Sequence, residues 1–76
     1  MNLMIEQQIG QNIKELRIKA GYTQEMLSAK LQVEGCDITR SALAKIEVGQ
    51  RHLYADELIA LRKILNTTYD TILKVK

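Results

Sequence analysis

Between Ile5 and Ala20 the apolar residues fall at Ile5, Ile9, Ile13, Leu16 and Ala20, in steps of four, four, three and four. At 100° per residue these positions stay within an arc of about 80°, a stripe that a helix turns toward one neighbour and a strand would scatter over two faces. Glu15 and Lys19 stand one turn apart on the wet side in the favourable order, acid before base. Gly21 supplies the stop, because it enters the left-handed C′ conformation without a Cβ clash. The rest of the chain agrees with this opening. It has no Pro, Phe or Trp and only three Tyr, which leaves Leu, Ile and Ala as packing material and points to an all-α fold.

The chain of 76 residues fits one small domain, spanning 1–76. Such a domain buries about 60–65% of its unfolded surface, and its stability should be about 4–11 kcal/mol. Apolar residues at 46% and charged ones at 26% describe a folded domain, not a disordered tail. Cys36 stands alone, which excludes an internal disulfide and a four-cysteine zinc site. His52 is the sole histidine, so no Cys/His cluster supports a metal site or a catalytic dyad, and no cofactor is expected. No spacing marks an activated nucleophile and no Gly-rich loop could cradle a phosphate, so an enzyme is not expected. The start lacks a basic n-region and no run approaches the ~18 apolar residues of a membrane span. The expectation is a cytoplasmic protein without a membrane partner. Met1 and the short tail lead us to expect a complete chain.

Four more helices follow from caps and spacing. Thr23 caps a second helix carrying Met26, Leu27 and Leu31 to about Gln32. Val33 to Ile38 has no helical period and contains Gly35 and Asp37, so it reads as a loop. Thr39 caps a third helix from Arg40 to about Glu47, with Gly49 ending it, and Gln50 to Leu53 form a polar connection. Leu58, Leu61, Ile64 and Leu65 define a fourth helix closed by Asn66, and Thr68 caps a short fifth one holding Ile72 and Leu73.

The third helix is the informative one. With Leu43 at zero on its wheel, Ile46 lies about 60° to one side and Glu47 about 40° to the other. Ser41, Ala44, Lys45 and Val48 occupy the opposite half, and Arg40 sits at the N-terminal edge. This flank is short-chained, with one long base at its centre and another at its start. Such a profile suits entry into a groove about 12 Å wide, where Arg or Lys can reach guanine edges or phosphates. An ordinary solvated face has the same pattern, so periodicity alone leaves both readings open. Glu47 points toward the core, where an unpaired carboxylate is costly. Arg17 lies at the edge of the first helix's apolar stripe and is the expected bidentate partner.

The runs Ile9-Gly10-Gln11-Asn12-Ile13-Lys14-Glu15-Leu16-Arg17, Gly21-Tyr22-Thr23-Gln24-Glu25 and Ser41-Ala42-Leu43-Ala44-Lys45-Ile46-Glu47-Val48-Gly49 together resemble the lambda-repressor-like, XRE-type helix-turn-helix domain. The resemblance covers about Ile9 to Leu73. It implies a compact five-helix bundle in which the second and third helices form the helix-turn-helix. It also implies that Gln24 contacts phosphate, that Thr39, Arg40, Ser41 and Lys45 face DNA, and that Arg17 and Glu47 form a buried ion pair. The chain departs from the family pattern in three places. About five extra residues, roughly Val33 to Asp37, lengthen the turn, and Gln32 stands where a Gly usually opens it. Ser28 replaces the usual Ala at the helix–helix contact, and Tyr54 or Ala55 stands where the fourth helix normally has a good N-cap. A loop-out on the surface is the simplest expectation for the added residues, with Cys36 a passive loop thiol.

The preferred reading is a sequence-specific regulator of double-stranded DNA, of the repressor type. Phosphate contacts from Gln24, Gln50 and Arg51 would set the register, with His52 beside them, while Arg40, Ser41 and Lys45 read the major groove past Ala44. One helix covers few base pairs, so a homodimer on a near-palindromic operator is expected, assembled in solution or only on DNA. Tyr69, Ile72, Leu73 and Val75 are the apolar material for it. Eleven basic against nine acidic residues, a net charge of +2, leave a second class open. That class is a protein-interaction or antitoxin-like module that keeps the fold without reading bases.

Overall fold

In the computed structural model, which describes residues 2–75, the chain forms five helices and, among those residues, no strand. They are α1 (Leu3–Lys19), α2 (Gln24–Val33), α3 (Arg40–Glu47), α4 (Ala55–Ile64) and α5 (Tyr69–Leu73). Four of them start on a side-chain oxygen that accepts from the third amide of the helix, namely Asn2, Thr23, Thr39 and Thr68. α1 therefore begins before Ile5, because Asn2 caps it. α4 starts differently: Tyr54 offers no cap bond, and the Glu57 carboxylate reaches back to accept from the Tyr54 N–H at 3.0 Å. That is half of a capping box, with an acid where the helix dipole favours one.

α1, α2, α3 and α4 all end in the same way. The residue after the C-cap donates to the carbonyl three before it, and the next residue to the carbonyl five before it. This is the Schellman arrangement, and it needs a left-handed residue at its centre. Gly21, Gly35 and Gly49 supply it at three of these ends, and Asn66 at the fourth, with φ 51°.

α1 lies against α3 and α5, while α2 lies against α3 and α4. Between them Ile13, Leu27, Leu31, Ile38, Leu43, Leu61 and Ile72 are wholly buried, one or more from every helix and one from the turn. Asn12 fastens α5 to α1 by donating to the Ile72 and Lys74 carbonyls, each at 2.8 Å. Gly10 lets α1 and α3 meet backbone to backbone, since a Cβ there would stand 2.2 Å from the Ile46 carbonyl oxygen. No helix of the described residues is long and apolar enough to cross a membrane.

The structure corrects several expectations. The stripe of α1 is shorter than its periodicity, because Ile5 and Ala20 lie beyond the body of the bundle and are exposed. Glu15 accepts from the Gln11 side chain at 3.2 Å and forms no salt bridge with Lys19. The added residues lie mostly on the surface, as expected: Val33, Glu34, Gly35 and Asp37 are exposed, and Cys36 alone among the five is buried. α2 runs on to Val33, Gly35 closes it, and the chain then turns inward, so that Cys36 is 7% and Ile38 0% exposed. Ser28, where Ala is usual, donates from Oγ to the Ile38 carbonyl at 2.6 Å, and Gln32 Nε2 donates to the same oxygen at 3.3 Å. Ser28 and Gln32, both departures from the family pattern, thus hold the end of the lengthened turn. Cys36 is a buried thiol, its titration pushed up first by burial and then by Asp56, Glu57 and Glu34, so the reactive thiolate is disfavoured. Ile72 belongs to the core and is not available to a partner.

Candidate nucleic-acid interface

α3 presents two faces. Leu43, Ile46 and Glu47 are buried against the bundle; Thr39, Arg40, Ser41, Lys45 and Val48 are exposed, and Ala44 is half-buried between them. The lean flank of the helix therefore lies open, with two bases on it. Neither Arg40 nor Lys45 forms a salt bridge among the described residues. Arg40 also borders a shallow recess shared with Arg17, Tyr22, Thr23, Gln24 and Glu25, so the starts of α2 and α3 share one rim.

Beneath that rim Arg17 and Glu47 meet. Arg17 Nε donates to Glu47 Oε2 at 2.7 Å and Nη2 donates to Oε1 at 3.1 Å, with both side chains nearly excluded from water. The remaining polar capacity is also used: Arg17 Nη1 donates to the Tyr22 carbonyl at 2.9 Å and Gln24 Nε2 donates to Glu47 Oε1 at 3.1 Å. A buried pair satisfied on all sides avoids the penalty of a stranded charge. It also ties the C-terminal end of α3 to α1 and to the first residue of α2. Gln24 is half-buried here and has one amide N–H engaged with Glu47.

The connection from Gln50 to Leu53 is held by side chains. Arg51 grips Glu57 with two bonds of 2.8 Å and donates from Nη1 to the His52 carbonyl at 3.0 Å. His52 is exposed, and its Nδ1 donates to Glu6 Oε1, tying the loop to α1. Gln50 is exposed and unencumbered by side-chain bonds among the described residues. The Arg51 guanidinium, then the Tyr54 N–H, hold the Glu57 carboxyl below its ordinary range against the opposing effect of burial. The depressed carboxyl makes its stabilisation fully present above the ordinary glutamate value of 4.5 and removes it as pH falls through the folded value below that. Glu57→Gln should therefore flatten the loss of thermal stability between about pH 5 and pH 3 relative to the parent chain. Parallel melting curves across that range would contradict it.

No cluster of His, Cys, Asp or Glu able to hold a metal ion occurs among the described residues. The arrangement offers exposed cationic side chains, helix starts and amides.

The helix-turn-helix family model matches residues 13–72. The chain belongs to the lambda-repressor-like, XRE-type helix-turn-helix family. No curated protein and no solved structure matches it. α2, the lengthened turn and α3 are its helix-turn-helix, and the family's regulatory activity is DNA binding. In this helix-turn-helix domain the structural roles of two residues are not evident in the sequence. Glu57 follows Tyr54 at capping-box spacing, but with no Ser or Thr at the cap the signature is incomplete. Gly10 interrupts a helical stripe, where a glycine is unfavourable unless another backbone comes close; that was the available signal.

Proposed function

We propose that this helix-turn-helix protein is a sequence-specific, double-stranded DNA-binding repressor that places α3 in the major groove as a homodimer. The open flank of α3 carries the reading. Arg40, Ser41 and Lys45 reach base edges, and Thr39 and Ala44 are short enough to let the helix approach. Gln24 at the start of α2, with Gln50 and His52 beyond α3, flank it as phosphate contacts that set the register. The domain is 29 Å in its longest dimension, which suits one copy per turn of duplex, with half-sites about 34 Å apart on a near-palindromic operator. Tyr69, Leu73 and Val75 are exposed at the C-terminal end and supply apolar surface for the two-fold contact.

Selection of binding sites from a random duplex library tests this. A near-palindromic sequence with two half-sites should emerge. No enrichment even at low salt would overturn the DNA reading in favour of a protein-interaction module. On the selected site Arg40→Ala should cost about 1–3 kcal/mol and relax preference at one base position in each half-site. An equal loss on every sequence would remove Arg40 from base reading.

A further inference from the structure

The proposed phosphate-contacting loop between α3 and α4 has an unusual construction. Among the described residues, 51–53 take part in no backbone–backbone hydrogen bond, so their shape depends on side chains. One acid supplies most of that support. Glu57 accepts both Arg51 bonds and the Tyr54 N–H, and its side chain is only 9% exposed. Arg51 in turn holds the His52 carbonyl and lies 5.7 Å from the Tyr54 ring centre.

From this we infer that Arg51 serves DNA binding as a positioning residue, committed to Glu57, and not as a phosphate contact. The inference rests on the DNA-binding reading above. Moving Arg51 onto a phosphate would break a bidentate pair and leave a mostly buried carboxylate next to a polyanion, with the Tyr54 N–H alone still donating to it. Kept in place, the pair presents Gln50 and the free side of the His52 ring in a fixed geometry. The domain then does not have to order the loop when it binds. Ordering even one loop residue on binding corresponds to roughly tenfold in affinity.

The two roles for Arg51 predict opposite signs for one variant. Glu57→Gln removes a negative charge near the DNA and loosens Arg51. If Arg51 touched phosphate, binding would tighten; if Arg51 positions the loop, binding weakens although the protein becomes more positive. The measurement is affinity for a labelled random-sequence duplex from low to moderate salt, at a temperature where melting curves show every variant fully folded, so that lost fold stability does not enter. Glu57→Gln and Arg51→Ala should each weaken binding roughly tenfold with the slope of log K against log salt unchanged. Arg51→Lys should behave like Arg51→Ala, because an ammonium keeps the charge but not the fork.

Tighter binding by Glu57→Gln, unaltered affinity in Arg51→Ala, or a slope reduced by about one in Arg51→Ala would overturn the inference. If Glu57→Gln does not fold, the slope of Arg51→Ala and the affinity of Arg51→Lys decide alone. Failure of the parent chain to bind any duplex at low salt would instead sink the DNA reading itself, and this role with it.

Discussion

Gly10→Ala should destabilise the domain by about 3 kcal/mol, and it should do so against local propensity, since alanine in a helix interior otherwise gains about 1 kcal/mol over glycine. A Cβ at this position would lie 2.2 Å from the Ile46 carbonyl oxygen and 2.8 Å from the Glu47 carbonyl carbon and oxygen. All three are main-chain atoms, so no side chain can swing away to make room. α1 must retreat from the end of α3, and Ile13 and Arg17 on the same helix must retreat with it. Overpacking of a tight core typically costs about 1–3 kcal/mol and occasionally more. Backbone against backbone belongs at the upper end of that range. Against a total of about 4–11 kcal/mol, this removes roughly a quarter to three quarters of the stability. Urea denaturation followed by far-UV circular dichroism measures it directly. A gain in stability, or a loss below about 0.5 kcal/mol, would mean that the two helices do not approach this closely.

Glu47→Ala should cost about 3 kcal/mol or more, because it leaves the Arg17 guanidinium buried and without its carboxylate. Arg17 is held by α1 and reaches inward, with its side chain only 10% exposed, so it cannot simply turn outward to water. Gln24 loses its acceptor in the same change. Removing both charges gives a different result. Arg17→Met combined with Glu47→Leu should recover most of the stability, since well-packed apolar side chains replace a buried pair at little or no cost. The double-mutant comparison separates the pair's mutual attraction from the damage done by stranding one member. A single-variant loss below about 0.5 kcal/mol would show the charges to be solvated and independent. If the pair also orients α3, the recovered double variant should bind DNA less well than the parent at equal foldedness.

The helices were legible because their signals are local. The step pattern of α1, the Thr caps of α2, α3 and α5 and the residues that close α1, α3 and α4 act within a few positions of themselves. The two faces of α3 were legible for the same reason, since a wheel needs only the angle per residue. The relation between Arg17 and Glu47 was the one distant feature within reach, because a carboxylate on a core-facing position demands a partner and few bases were placed to meet it. What stayed out of reach depends on atoms that are far apart in sequence. Ser28 and Gln32 read as departures from a pattern until the carbonyl of Ile38 is placed against them. Arg51 read as a phosphate contact because only the folded loop brings Glu57 to it. Cys36 sat in a stretch without periodicity, and an extended segment that dips once into a core leaves no period to detect. Ile5 failed for the opposite reason, since its period was right but the bundle stops short of it.

The inward dip between α2 and α3 sets a rule for how this domain could change length. Cys36 and Ile38 occupy interior volume, so excising the segment would open a void as well as shorten a connection. A trimmed descendant would need a bulkier residue elsewhere to refill that space, and Ser28 would lose the oxygen it now serves. Loss of the segment should therefore go together with a change at position 28, whose buried hydroxyl would otherwise be left without its acceptor.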